Sequence, residues 1–322
     1  MPFVSIIMTV RNSEKYVSQA IESVLVQSFK NFEFIIIDDE SNDSTTKIIK
    51  DYQLKDKRII VHINSKKKGP AESRNIAIRM AKGKWVSVID SDDVFFPKKI
   101  EKQVNLIDKN IIFIGSSFLY INDKGSHVAY YKYKNNSKIL KNNIIKNKNF
   151  PPHSSYFVKR EYLKKINGYN QRFLMAQDYD LLLRLQIFKN KKFAVCEDVL
   201  TKVRIHAQNR SLKKINYFSQ LDFSILASIC FRIYQQTKKN PSEYLSTKEW
   251  SNFLYIVKLH LTSSSYYKFL VTKLKYKKRK RIFEYINYFS SLNFFKSYFL
   301  GHVLPNKIQD KLLIIYKQKF LK

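Results

Sequence analysis

Glycine is scarce in this chain, with six residues in 322, at positions 69, 83, 115, 125, 168 and 301. That set contains no GxGxxG and no GxxxxGKS/T. The dinucleotide fingerprint and the P-loop, which both need glycine where backbone approaches phosphate, are therefore excluded. Cysteine is rarer still. Cys196 and Cys230 supply neither a disulfide framework nor the spacing of a zinc site, which fits a reducing compartment. Long apolar runs are missing too: the uncharged stretch 110–122 is among the longest, contains Gly115, and falls short of the ~20 residues of a membrane helix. MPFVSIIMTVRN at the N-terminus has no basic segment ahead of its apolar run, so no signal peptide is expected. These features together predict a cytoplasmic protein. The last shortage is of negative charge, with 26 Asp and Glu against 59 Lys and Arg and a net charge of +33.

Against that shortage, three acids fall within four residues. The stretch 86–98, VSVIDSDDVFFPK, is an apolar run of strand type that ends in Asp90, Asp92 and Asp93. Carboxylates delivered at a strand end make an oxygen-rich site for a hard divalent cation such as Mg²⁺ or Mn²⁺. Such an ion commonly holds and neutralises phosphates. The plainer alternative is an acidic turn that caps a helix beginning near Pro97.

With 44% hydrophobic residues the chain is long and apolar enough to bury a core, in one or two domains. Its basic excess implies an anionic partner, and nucleic acid, acidic lipid and a phosphorylated small molecule all fit. From residue 215 to 322 there are 19 basic and 5 acidic residues, so +14 of the +33 lies there, with KLKYKKRKR at 273–281 the densest cluster. Ile282, Tyr285, Ile286, Phe289 and Leu292 recur beside it at helical spacing. Aromatics next to a basic cluster suit either an anionic lipid surface or a packed helix with a solvated basic face. A basic nucleic-acid-binding protein without catalytic activity is the rival reading. It rests on charge and aromatics alone, and no nucleic-acid motif accompanies them.

The first half alternates strand and helix. Strands are expected at 4–10, 32–37, 58–63 and 85–89, with helices around 17–24, through Ile48 and Ile49, and at 71–81. Such alternation implies an α/β fold with a mostly parallel, Rossmann-like sheet, whose ligands bind beyond the carboxyl ends of the strands. Thr9, Asp38, Asp39 and Asp90 to Asp93 then share one rim. From 111 to about 203 strand-like runs (111–120, 154–158, 193–203) mix with helices, one at 177–188. Beyond 211 the chain reads as helical, basic and rich in Tyr and Phe. A boundary near 212 divides a catalytic domain at 1–212, with a nucleotide half (1–110) and an acceptor half (111–212), from a helical region at 213–322.

Six segments, in order, resemble the family 2 glycosyltransferases of the GT-A fold. They are SIIMTVRN (5–12), AIESVLVQSF (20–29), IIIDDESNDST (35–45), GPAESRNIAI (69–78), VIDSDDVFFP (88–97) and AQDYDLLLRL (176–185). The resemblance covers roughly 3–210 and leaves the last third without a named motif.

That resemblance implies an inverting, metal-dependent hexosyl- or N-acetylhexosaminyl-transferase. Its partners are a nucleotide-sugar donor, UDP-sugar foremost, and an acceptor hydroxyl in polysaccharide, lipopolysaccharide or lipid-linked glycan assembly. A lipid-linked acceptor would suit peripheral binding at the inner face of the plasma membrane. Nucleic acid is not an expected partner. The implied nucleotide-binding set is Thr9, Val10, Asn12, Asp39, Arg74, Asp90, Ser91 and Asp92. The implied metal ligands are Asp92, Asp93 and His206, for Mn²⁺ or Mg²⁺. A carboxylate at the base edge, here Asp39, accepts from the ring N–H of uracil, thymine or guanine and repels cytosine. Arg74 matches a family cation near the diphosphate, and His153 aligns with a segment on the acceptor side. Gln177-Asp178 stands where the family has Glu-Asp, whose Asp is the catalytic base. The Gln is a departure that leaves Asp178 against Asp180 open, with Asp178 the expected base.

Overall fold

The computed structural model describes residues 1–207, 209 and 214–263, with backbone alone at 214–219, 221, 256 and 258–263. The basic cluster at 273–281 and the spacing from Ile282 to Leu292 lie outside the described residues. Two compact units emerge, and they interleave along the chain. The first comprises Met1–Lys141, Pro151–Gln171 and Leu185–Asn209; the second comprises Asn142–Phe150, Arg172–Arg184 and Arg210–Lys322. A single cut near 212 therefore does not separate them, because two short segments ahead of it pack with the later helices.

The first unit is built on one nine-stranded sheet. Its strands are β1 (Val4–Val10), β2 (Phe32–Asp38), β3 (Ile59–Ile63), β4 (Trp85–Asp90), β5 (Val94–Phe95), β6 (Ile111–Ile121), β7 (His127–Tyr131), β8 (Phe157–Lys159) and β9 (Lys192–Arg204). The order is β3-β2-β1-β4-β8-β6-β9-β5, with β7 paired to β6. β3, β2, β1 and β4 run parallel, as their near-continuous apolar sequences require of strands covered on both faces. Beyond β4 the sheet turns mixed: β8 is antiparallel to both β4 and β6, while β6 and β9 are parallel.

Helices α1 (Val17–Leu25), α2 (Thr45–Lys55) and α3 (Pro70–Met80) make the crossovers. Val17, Ala20, Ile21 and Val24 of α1 join Val4, Ile6, Met8, Phe34 and Ile36 in one buried cluster. The short α4 (Lys99–Val104) carries an unusual core residue. Lys99 is fully buried; its Nζ donates to Ser87 Oγ (2.8 Å) and Gln103 Oε1 (2.9 Å) and lies 4.0 Å from the Phe95 ring centre. Burial pushes its amine well below the ordinary lysine range. α5 (Ser137–Ile145) and α6 (Arg160–Lys165) complete the elements ahead of α7 (Gln177–Leu185).

In the second unit, α7 is followed by α8 (Lys214–Thr237), α9 (Pro241–Tyr244) and α10 (Thr247–Ser263). Phe173 sits 6.0 Å from Phe223 and 6.2 Å from Trp250, ring centre to ring centre. The Tyr179 hydroxyl meets Ser228 Oγ at 3.0 Å. No helix among the described residues is long and apolar enough to cross a membrane.

Candidate active site

Register places the rim. β1 lies between β2 and β4, so Thr9 stands beside both Ile37 and Asp90, and Val10 beside Asp38. The Val10 side chain is in the core, and its carbonyl accepts from Asp39 N–H at 2.9 Å. Asn12 takes a left-handed φ of 51°, a conformation asparagine tolerates better than most residues, and its side chain accepts from Asn42 N–H at 2.9 Å. Asp38 is turned inward: one oxygen accepts from Ser41 N–H and Oγ, the other from Thr46 Oγ1.

Asp39 is 4% exposed. It accepts from Lys68 N–H (2.7 Å), Asn64 Nδ2 (2.9 Å) and Gly69 N–H (2.9 Å). Burial alone would raise its carboxyl, but these donors, with Ser73 Oγ, hold it below the ordinary carboxylate range. Gly69, at φ 85°, makes the left-handed turn that aims its N–H at Asp39 and starts α3 at Pro70. Asp39 thus fixes the loop between β3 and α3, the helix that carries Arg74.

Arg74 reaches Asp90 Oδ1 at 3.0 Å and lies over the Tyr169 ring, 5.3 Å from its centre. On the other side of Asp90 is His153, whose Nδ1 is 3.0 Å from Oδ2 and whose Nε2 is 2.8 Å from the Tyr169 hydroxyl. His153 therefore stands beside the first carboxylate of the acidic turn. Tyr169 is held by Asn75, which donates to its carbonyl at 2.8 Å and accepts from its N–H at 2.7 Å. A Cβ on the neighbouring Gly168 would collide with Asn75 Oδ1. Burial raises the Asp90 carboxyl, yet His153 and Arg74 outweigh it and keep Asp90 well below the usual range, hence ionised.

The rest of the turn divides in two. Ser91 Oγ meets Ser13 Oγ at 2.8 Å. Asp92 faces the rim, its side chain a quarter exposed, with Oδ2 2.9 Å from His206 Nε2 and 3.1 Å from Asn209 Nδ2. Asp93 faces the interior, accepting from Arg204 N–H at 2.8 Å and from Ser154 Oγ. Burial, then the charges of Asp92 and Asp90, push its carboxyl well above the usual range. The ligand trio Asp92, Asp93 and His206 is therefore not assembled. Among the described residues no three His, Cys, Asp or Glu side chains converge as metal ligands. Asp92 and His206 do meet, and a partly exposed carboxylate beside an imidazole fits a Mg²⁺ or Mn²⁺ that takes its remaining ligands from water and phosphate.

In the second unit, Asp178 and Asp180 part company. Asp180 is 2% exposed and accepts from Arg184 Nε at 2.7 Å; burial raises its carboxyl more than Arg184 lowers it. Asp178 is half-buried in the first turn of α7. It is not the helix cap, because Gln177 already lies in the helix and Ala176, at φ 55°, makes the entry turn.

Sequence reasoning missed Ser13, Asn64, Ser154, Tyr169, Arg204 and Asn209. Each acts by holding another side chain or a loop, a role no motif records. Arg204 had a weak signal, two residues ahead of His206.

A family model described as Glycosyl transferase family 2 matches residues 5–167. A glycosyltransferase of Methanocaldococcus jannaschii (MJ1057) is 34% identical over 275 residues, covering 84% of this chain and 89% of its own. The Escherichia coli UDP-Glc:alpha-D-GlcNAc-diphosphoundecaprenol beta-1,3-glucosyltransferase WfaP is 33% identical over 182 residues, 52% of this chain and 70% of its own. Among solved structures, S. aureus TarS 1-349 in complex with UDP aligns with a TM-score of 0.55 at 18% identity, over 77% of each chain. Mannosyltransferase PcManGT from Pyrobaculum calidifontis, in complex with GDP-Man and Mn²⁺, aligns with a TM-score of 0.59 at 12% identity, over 100% of this chain and 88% of its own. Those structures share the fold. With the family model across half the chain and a relative of 34% identity along most of it, this protein belongs to the family 2 glycosyltransferases and has the GT-A fold.

Proposed function

We propose that the protein transfers a sugar from a nucleoside diphosphate sugar, with UDP-sugars the first candidates, to a hydroxyl of a glycan or lipid-linked glycan, with inversion at the anomeric carbon. The observation that carries this is the acidic turn at the end of β4, where Asp90 is paired to Arg74 and Asp92 faces the rim beside His206. TarS has been solved with UDP and with UDP-GlcNAc, PcManGT with GDP-Man and Mn²⁺, and WfaP carries a lipid diphosphate acceptor in its name.

In this reading Thr9, Val10, Asn12 and the loop fixed by Asp39 border the nucleoside. Arg74 and the turn at 90–92 serve the diphosphate. Asp92 and His206 would hold Mn²⁺ or Mg²⁺, and Asp93 would hold the turn in shape from behind. Bound there, the ion supplies positive charge that stabilises the departing nucleoside diphosphate. Asp178 accepts the proton of the attacking hydroxyl, since the carboxylates of the turn are committed to the leaving-group side. Peripheral attachment to an anionic membrane belongs to the same proposal.

A thermal-shift screen with UDP-, dTDP- and GDP-sugars, each with Mn²⁺, tests the donor class, because a ligand that binds the folded chain raises its melting temperature. A UDP-sugar is expected to give the largest shift, lost on Asp92→Asn. Full transfer in excess EDTA would remove the metal from the reading.

A further inference from the structure

Arg204 ends β9, is 4% exposed, and bonds to three separate segments of the first unit. Its Nε donates to the carbonyl of Asp92 at 2.9 Å, and its own N–H donates to Asp93 Oδ1 at 2.8 Å. Nη1 reaches the carbonyls of Asn122 (3.2 Å) and Asp123 (3.3 Å) in the turn between β6 and β7, and Nη2 reaches Gln19 Oε1 on α1. The guanidinium lies 4.7 Å from the centre of the Tyr16 ring, which also neighbours the imidazole of His206 and Lys15 Nζ, each at 5.0 Å. The turn that Arg204 grips is itself strapped to the loop after β1, through Lys15 Nζ and the Tyr16 hydroxyl on the Asp123 carboxylate.

The guanidinium donates its hydrogen bonds to carbonyl oxygens, so its geometry is fixed by a fork of directed bonds. The bonds at Asp92 and Asp93 end on the acidic turn, and those at Asn122 and Asp123 end on a turn that the Tyr16 hydroxyl also meets. A brace of the fold would hold the sheet. This one reaches both members of the pair, through main chain at Asp92 and through the Tyr16 ring at His206.

We infer that Arg204 is the positioning residue that sets Asp92 and His206 at the spacing a divalent cation on the donor diphosphate requires. The inference rests on the reading of Asp92 and His206 as ligands. Groups behind a metal ligand orient it, and their loss commonly weakens metal affinity about 10- to 100-fold. Arg204→Lys keeps the charge and removes the fork, and so separates position from electrostatics.

The test is Mn²⁺ binding followed by the EPR signal of the free ion, with UDP present and no acceptor, so that no turnover contributes. R204K is expected to bind Mn²⁺ about tenfold or more weakly than the parent. Its transfer rate should return towards the parent's as Mn²⁺ is raised. Should R204K not fold, Gln19→Ala removes one anchor of the guanidinium and is expected to weaken Mn²⁺ in the same direction. If R204K melts at a lower temperature yet binds Mn²⁺ like the parent well below that melt, Arg204 is a structural brace and the inference fails alone. If the parent itself binds no Mn²⁺ with UDP, the metal reading fails and takes the inference with it.

Discussion

At the scale of single residues, two carboxylates one helical step apart are prepared for different work. Asp180 is buried against Arg184, so removing its charge breaks a buried ion pair. Breaking such a pair commonly costs about 3–5 kcal/mol. Asp180→Asn is therefore expected to lower the midpoint of a urea melt. Asp178→Asn, at a half-exposed position, is expected instead to cut turnover about 10²–10⁴-fold with donor affinity near normal. NMR of the product supplies the second check: retention of the donor's anomeric configuration would defeat a single displacement with Asp178 as base. Asp39→Ala should weaken UDP about ten- to a hundredfold, the worth of roughly 1.5–3 kcal/mol, measured by calorimetry. It should also loosen the loop that Asp39 pins through Lys68 and Gly69. Unchanged affinity for every nucleotide tried would take Asp39 out of the donor site. The acids of this region were legible because acids are rare here and cluster at strand ends. Their division of labour was not. Nothing in DSDD says that Asp92 faces the rim and Asp93 the interior, since that depends on Arg204 and Ser154, more than 60 residues later in the chain.

Among the elements, the parallel half of the sheet could be read almost to the residue, because buried parallel strands are continuous apolar runs with Gly, Pro or Asp at their ends. β8 could not. It has three residues, follows a 3-10 turn at His153–Ser155, and owes its place to pairing with both β4 and β6. A two-residue strand such as β5 has no sequence pattern at all; its pairing with β9 defines it. Helix α4 hides a different surprise in Lys99, which sequence alone assigns to solvent. With its amine held well below the lysine range, the folded chain binds fewer protons there than the unfolded one. Stability should therefore rise with pH between the lowered native pKa and the ordinary value of about 10.4, by up to about 1.4 kcal/mol per pH unit. Lys99→Met removes that contribution. Urea midpoints taken from pH 7 to 10 should thus climb more steeply in the parent than in the variant. Parallel curves would mean that Lys99 is charged in the fold.

For the whole molecule, charge is the most conspicuous property, and its densest cluster at 273–281 lies outside the described residues. Six of those nine positions are Lys or Arg between Lys273 and Lys280, with Arg281 the seventh. Each basic group near an anionic membrane surface is worth about 1 kcal/mol. Replacing the cluster with serine should reduce sedimentation with vesicles containing phosphatidylserine, and leave transfer to a soluble acceptor largely intact. Equal sedimentation of both forms would assign the cluster to a solvated surface. The order of the strands has a further consequence, in time. β5 ends at Phe95, yet the strand it pairs with, β9, begins at Lys192. β6 likewise waits for β9 as a parallel neighbour. A chain emerging from the ribosome therefore displays the parallel half of the sheet long before Asp92 and Asp93 have Ser154, Arg204 and His206 to lean on. Closing so distant a pair is slow, because loop entropy must be overcome before the contact rewards it. The pairing of Asp92 with His206 is then the last part of the proposed donor site to set. Nascent chains stalled short of residue 204 should be folded in their first hundred residues and bind UDP with Mn²⁺ more weakly than the full chain.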